Sequence, residues 1–183
     1  MITPSLRVDR IIFPIIVSTI VCVLVGILFT NYSVLDISSP GFQFIAYAII
    51  ASGFYSVLRF SSERNAMLLL GILFLIYLYI TRSSELMPIF RNFMVVAGIA
   101  TVTYVFQKII DGVFDEIRFG KFLIWGALYG IVYIFVTVVL VSLLGSENSG
   151  YYYLNNLRLG FLMGIGLGLG LEISDILDRL IFR

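Results

Sequence analysis

Three charged residues lie inside or at the edge of hydrophobic stretches. Glu172 and Asp175 close a long apolar run, and Arg91 follows Pro88 by three residues. Ionisable side chains in such positions pair with another charge, reach the membrane surface, or handle protons and ions. Glu172 and Asp175 are therefore candidates for a proton or cation role, with an interfacial position or an ion pair with Arg179 as the alternative. For Arg91, the alternative is a side chain that extends to the outer membrane surface.

A glycine-rich segment precedes this acidic pair. It contains Gly160, Gly164, Gly166, Gly168 and Gly170. Residues four apart share a face of an α-helix, so the first, second and fourth of these glycines lie on one face and the other two lie nearly opposite. Glycine lets two backbones approach closely in a membrane. We predict a helix that is packed from two sides, either inside a bundle or at an interface between copies of the chain.

Shorter runs of small residues at the same spacing occur in three other hydrophobic blocks. They are Ser18, Cys22 and Gly26 in the first block, Ala48, Ser52 and Ser56 in the second, and Gly126 and Gly130 in the fifth. Each run places small side chains along one helix face. We predict that these residues also serve close helix packing.

The sequence lacks residues that several classes of enzyme require. The chain has no His, which removes His-ligated zinc or haem and a histidine base for serine hydrolysis. Intramembrane aspartyl proteases need a Gly-x-Gly-Asp segment, but Gly168-Leu169-Gly170 is followed by Leu171 and Glu172. CDP-alcohol phosphotransferases need several carboxylates around one metal site, and only Asp111-Gly112 begins that pattern. We predict a protein without catalytic chemistry, cofactor or metal.

Six hydrophobic blocks hold these residues. They run over 11–30, 41–58, 66–81, 88–107, 122–144 and 154–173. A helix needs about 20 mostly apolar residues to span a membrane. Hydrophobic residues make up 60% of the chain and charged residues 13%, which leaves little polar surface for a soluble domain. We predict an all-α polytopic membrane helix bundle with six transmembrane helices in one domain, residues 1–183.

The distribution of Lys and Arg orients these helices. With the N-terminus inside, nine Lys and Arg residues fall on the cytoplasmic side and three on the outer side. Positively charged loops stay in the cytoplasm. We therefore predict an integral protein of the cytoplasmic membrane with both termini inside.

Two weaker patterns leave alternatives open. Residues 106–121 are amphipathic, which predicts a helix at the membrane interface or an extension of the fourth block bent at Gly112. Residues 41–56 and 119–134 are weakly alike, which would join two inverted halves of three helices each. Chance similarity between two apolar helices also explains that match.

Two functions remain after these exclusions. The first is a channel, or the membrane component of a transporter, for a small solute or ion. The second is a non-enzymatic interaction, assembly or sensing subunit of a larger complex. The expected partners are membrane lipid and a second copy or another membrane protein, with no nucleic acid. A transporter should gather polar side chains near the middle of the membrane. The block interiors offer Ser18, Thr19, Tyr47, Ser52, Tyr55, Ser56, Thr101, Thr103, Tyr129 and Thr137.

Overall fold

The protein is built from six long helices. A computed structural model describes residues 8–33, 35–37, 39–81, 86–113, 119–144 and 150–181, and these residues contain no β-strand. The helices are α1 (Val8–Phe29), α2 (Gln43–Phe60), α3 (Glu63–Thr81), α4 (Leu86–Val105), α5 (Lys121–Leu144) and α6 (Gly150–Ile181). A 3-10 turn over Pro40–Phe42 leads into α2. The predicted all-helical fold is confirmed.

Five of the six helices are long and apolar enough to cross a membrane. They are α1, α2, α3, α4 and α6, whereas the described apolar stretch of α5 extends only over Lys121–Val136. Such helices are compatible with an integral membrane protein, because an α-helix satisfies its own backbone hydrogen bonds in lipid. The structure therefore supports five of the six predicted spans by length and composition.

Contacts between the helix ends show that the helices run up and down. At one end, Arg59 of α2 pairs with Asp175 of α6, and Lys108 pairs with Glu63 of α3. We call this the charged end. At the other end, Arg158 of α6 donates a hydrogen bond to the Phe29 carbonyl at the close of α1. Because Arg91 lies near the start of α4, we call this second end the Arg91 end.

Helix α6 packs closely against α5 through one of its glycine faces. A Cβ atom at Gly160 would lie 2.6 Å from the Tyr129 carbonyl oxygen, and one at Gly168 would lie 2.5 Å from the Phe122 Cα. At Gly164, a Cβ atom would overlap the carbonyl oxygen of Trp125. The α5 backbone therefore occupies the space that any larger side chain would need.

The opposite glycine face of α6 meets α1. A Cβ atom at Gly166 would lie 2.9 Å from the Cys22 Sγ, and one at Gly170 would overlap the Ser18 Cα. Gly170 follows Gly166 by four residues in α6, whereas its contact Ser18 precedes Cys22 by four residues in α1. This order is expected for antiparallel neighbours. Helix α6 thus lies between α1 and α5.

The small residues of α1 and α5 that were predicted to pack lie in the same interfaces. A Cβ atom at Gly126 or Gly130 of α5 would lie 2.9 Å from a side-chain carbon of Ile165 or Leu157, respectively. Gly26 is buried on the α1 face that carries Ser18 and Cys22. The packing role of these residues stays a prediction, which substitution can test.

The amphipathic segment begins as a direct continuation of α4. A π-helix covers Phe106–Ile110 and a helical turn covers Asp111–Val113, while residues 114–118 lie outside the described residues. The Phe106 ring is buried and stacks on Trp125 of α5 with 4.0 Å between the ring centroids. Lys108 and Ile109 are exposed. The start of the segment is thus tied to the bundle by this aromatic contact and by the ion pair between Lys108 and Glu63.

Candidate functional site: a buried column of polar groups

Glu172 caps the beginning of a neighbouring helix. Its carboxylate accepts hydrogen bonds from the backbone N–H of Phe122 at 3.1 Å and of Gly120 at 3.3 Å. The first N–H groups of a helix have no partner within the helix, and the helix dipole favours a negative charge there. Gly120 has φ +112°, a left-handed conformation that suits glycine and turns the chain into α5. The Glu172 carboxylate therefore has a structural task at the charged end.

Asp175 forms an ion pair with α2. Its Oδ1 lies 2.6 Å from the Arg59 Nη1, and more than a third of each side chain is exposed. Exposed ion pairs contribute only about 0–1 kcal/mol. The predicted acidic pair is thus brought to one end of the bundle, but its members contact different helices and do not form one site.

Arg91 lies at the opposite end, far from both acidic residues. Its side chain is exposed, yet it is close enough to act electrostatically on the hydroxyls of Tyr47 and Tyr133.

Three tyrosines from three helices meet below Arg91. The ring centroids of Tyr47 and Tyr77 are 5.8 Å apart, and those of Tyr47 and Tyr133 are 6.4 Å apart. The Tyr133 hydroxyl lies 3.4 Å from the Gln43 Oε1 and 3.2 Å from the Met163 Sδ. A thioether is a weak acceptor and the amide oxygen is distant, so both of these partners are poor.

A second group of polar side chains lies deeper, where α1, α4, α5 and α6 meet. The Cys22 thiol donates to the Met163 carbonyl at 3.6 Å, and the Thr103 hydroxyl donates to the Ile99 carbonyl at 2.8 Å. The Tyr129 hydroxyl lies beside Cys22 and Thr103. Tyr129 and Tyr133 are four residues apart and therefore share one face of α5.

Two hydroxyls in this deeper group lack a hydrogen-bond partner of ordinary geometry. They belong to Ser18, which is 0% exposed, and Tyr129, which is 1% exposed. An unpaired polar atom inside a membrane bundle is costly because no water is present to satisfy it.

Together these side chains form one continuous set, which we call the polar column. It consists of Gln43, Tyr47, Tyr77, Tyr133, Tyr129, Thr103, Cys22 and Ser18. It extends from below Arg91 to the contact between Ser18 and Gly170. Two further buried hydroxyls without a partner, on Ser56 and Ser174, lie nearer the charged end.

Sequence reasoning found only part of this column. It singled out Ser18, Tyr47, Thr103 and Tyr129 as interior polar residues, whereas the structure shows that Thr101 is exposed and bonds to its own helix. Gln43, Tyr77 and Tyr133 were missed. The spacing of Tyr129 and Tyr133 could have indicated the third of these.

No group of three or more His, Cys, Asp or Glu side chains that could hold a metal ion occurs among the described residues.

Comparisons of the chain with known protein families, with curated proteins and with solved structures found no significant match. The column is therefore interpreted from its own chemistry.

Proposed function

We propose that this protein is a channel, or the membrane component of a transporter, that moves a small solute or ion without catalysing a reaction. The observation that carries the proposal is the pair of buried hydroxyls in the polar column, Ser18 and Tyr129, that lack a hydrogen-bond partner of ordinary geometry. Buried polar groups in membrane bundles mark substrate pathways, because stability alone gives no reason to keep them. A solute in the column would supply the missing hydrogen bonds.

The proposal includes an orientation. All six helices cross the cytoplasmic membrane, with α5 included, and both chain termini and the charged end face the cytoplasm. The nine-to-three distribution of Lys and Arg supports this arrangement. The Arg91 end then opens to the outside.

Reconstitution into liposomes tests the proposed function. Purified protein should release or admit small solutes faster than liposomes of the same lipid without protein. A set that spans urea, glycerol, K⁺ and Cl⁻ covers uncharged and charged candidates. Equal rates with and without protein for every solute would contradict the proposal.

A second candidate, a membrane interaction subunit, is favoured by helix α3. This helix is the least buried of the five candidate spans, and a Cβ atom at Gly71 would have no neighbour within 4 Å. Its outer face could contact lipid, a second copy or a partner protein. Native mass spectrometry of gently purified protein would reveal a stable partner if this function is correct, and a bare monomer would oppose it.

A further inference from the structure

We infer that the transported solute is small and uncharged, that it both donates and accepts hydrogen bonds, and that it moves along the polar column past Tyr129. This inference rests on the proposed transport function and names the class of solute. Three features of the molecule support it: the chemistry of the column, the charges around it and the close packing of the helices beside it.

The chemistry of the column favours a solute with both donors and acceptors. Ser18, Thr103 and Tyr129 present hydroxyls, and each hydroxyl can donate one hydrogen bond and accept others. A molecule such as urea or a small polyol has the same dual capacity. It could therefore pair with each group in turn along the column.

The charge distribution disfavours ions. Residues 11–30, 43–58, 66–81, 92–107, 122–144 and 159–171 contain no Asp, Glu, Lys or Arg. Arg91 lies at one end of this uncharged zone, and Glu172 lies at the other, where it caps α5. An ion would lose its hydration without meeting an opposite charge, which is far costlier than the transfer of a neutral polar molecule.

The hydrogen bonds along the column are weak enough to let a solute leave. The Ser18 and Tyr129 hydroxyls have no partner of ordinary geometry. Passage requires binding that is favourable enough for entry and weak enough, over several sites, for release. These two hydroxyls provide such sites at different depths of the column.

The helices beside the column are closely packed near Cys22. This thiol packs against Gly166 of α6. Because α6 is packed against both α1 and α5 here, a large solute would have no room to pass. Cys22 is the single cysteine of the chain, so a thiol reagent would attach at this position alone.

The test compares uncharged solutes with ions in proteoliposomes. Stopped-flow swelling reports urea and glycerol entry, and fluorescent indicators report K⁺ and Cl⁻ flux. Tyr129→Phe should slow urea entry about fivefold, the factor that corresponds to one lost hydrogen bond. Tyr104→Phe is the matched control, because Tyr104 is exposed on α4 and lies outside the column.

Modification of Cys22 provides an independent measurement. Methyl methanethiosulfonate adds a small uncharged group to the thiol and should block urea entry. In the Cys22→Ser variant, the reagent should not change the rate of urea entry, whatever that rate is. Protein-dependent entry of urea, slowed in Tyr129→Phe and blocked at Cys22, is the expected result.

Three results would overturn the inference. Faster K⁺ or Cl⁻ flux than urea entry would show a charged solute and leave the proposed transport function standing. Urea entry that neither Tyr129→Phe nor the Cys22 reagent changes would show another path. Absence of flux for every solute would overturn the proposed function as well.

Discussion

Single residues at the charged end have tasks that differ from those suggested by their position in the sequence. Glu172 lies in an apolar stretch, as a proton or cation carrier would, but its carboxylate accepts two backbone N–H groups at the start of α5. The contact joins α6 to α5 with one side chain. A proton or cation role remains a prediction, and it has to be reconciled with this capping contact.

Replacement of Glu172 separates the capping role from its charge. Glu172→Ala should lower stability by about 1 kcal/mol, the usual cost of losing a helix cap. Glu172→Gln keeps an acceptor and should lose only the interaction with the helix dipole, about 0.3–1 kcal/mol. Thermal unfolding in detergent measures both changes. Asp178→Asn, on the same helix, is the control. A stability of Glu172→Ala equal to that of the unmodified protein would refute the capping role.

The Arg59–Asp175 pair gives a second prediction at this scale. Because more than a third of each side chain is exposed, Asp175→Asn should change the free energy of unfolding by no more than about 1 kcal/mol. Thermal unfolding at low and high salt measures the effect. A larger loss, insensitive to salt, would show that Asp175 has a role beyond this exposed pair.

At the scale of elements, helix α6 determines how closely the bundle packs. Its glycines face α5 on one side and α1 on the other, so two neighbouring backbones contact it directly. In a membrane, hydrophobic burial gives little drive for helix association, and close packing between small residues replaces it. The glycine spacing predicted two packed faces, and the structure shows which helix meets each face.

Substitution of one glycine at a time tests this packing. Gly164→Ala would place a methyl group on the Trp125 carbonyl oxygen, and the overpacking should cost about 1–3 kcal/mol. Gly71→Ala is a matched control, since its Cβ would have no neighbour within 4 Å. It should leave stability unchanged or raise it by up to about 1 kcal/mol. Equal melting temperatures for the two variants would contradict the close-packing role.

At the scale of the whole molecule, the positions of the helices could be predicted from the sequence, but the contacts that form the candidate site could not. Charge-free apolar blocks and Pro88 near a helix start are local signals, and the helices follow them within a few residues, except that α6 continues to Ile181, eight residues beyond the predicted end at 173. The hydrogen bonds of Glu172 depend on how the chain turns at Gly120 into α5. They are tertiary contacts between two helices, which local sequence signals do not predict. Likewise, Tyr77 joins Tyr47 only through the lateral arrangement of α2 and α3. An apolar helix gives no periodic signal for which face its tyrosines share, because lipid and core are both hydrophobic.

The orientation of the whole molecule can be tested with single cysteines. In a Cys22→Ser background, Ser62→Cys lies between α2 and α3 at the charged end, and Tyr32→Cys lies at the Arg91 end. The first should react with a membrane-impermeant reagent only after the cell is opened, and the second in intact cells. The reverse pattern would invert the proposed topology.

The place of α6 between α1 and α5 also has a consequence for biosynthesis. A ribosome delivers the chain from its N-terminus, so α1 enters the membrane long before α6 exists. Until then, the α1 face with Ser18 and Cys22 has no α6 backbone to cover it. The two halves of this interface are separated by more than a hundred residues in the chain, as the Cys22–Met163 contact shows. If the helices insert in chain order, we expect this face of α1 to contact lipid until the four helices in between and α6 have been synthesised.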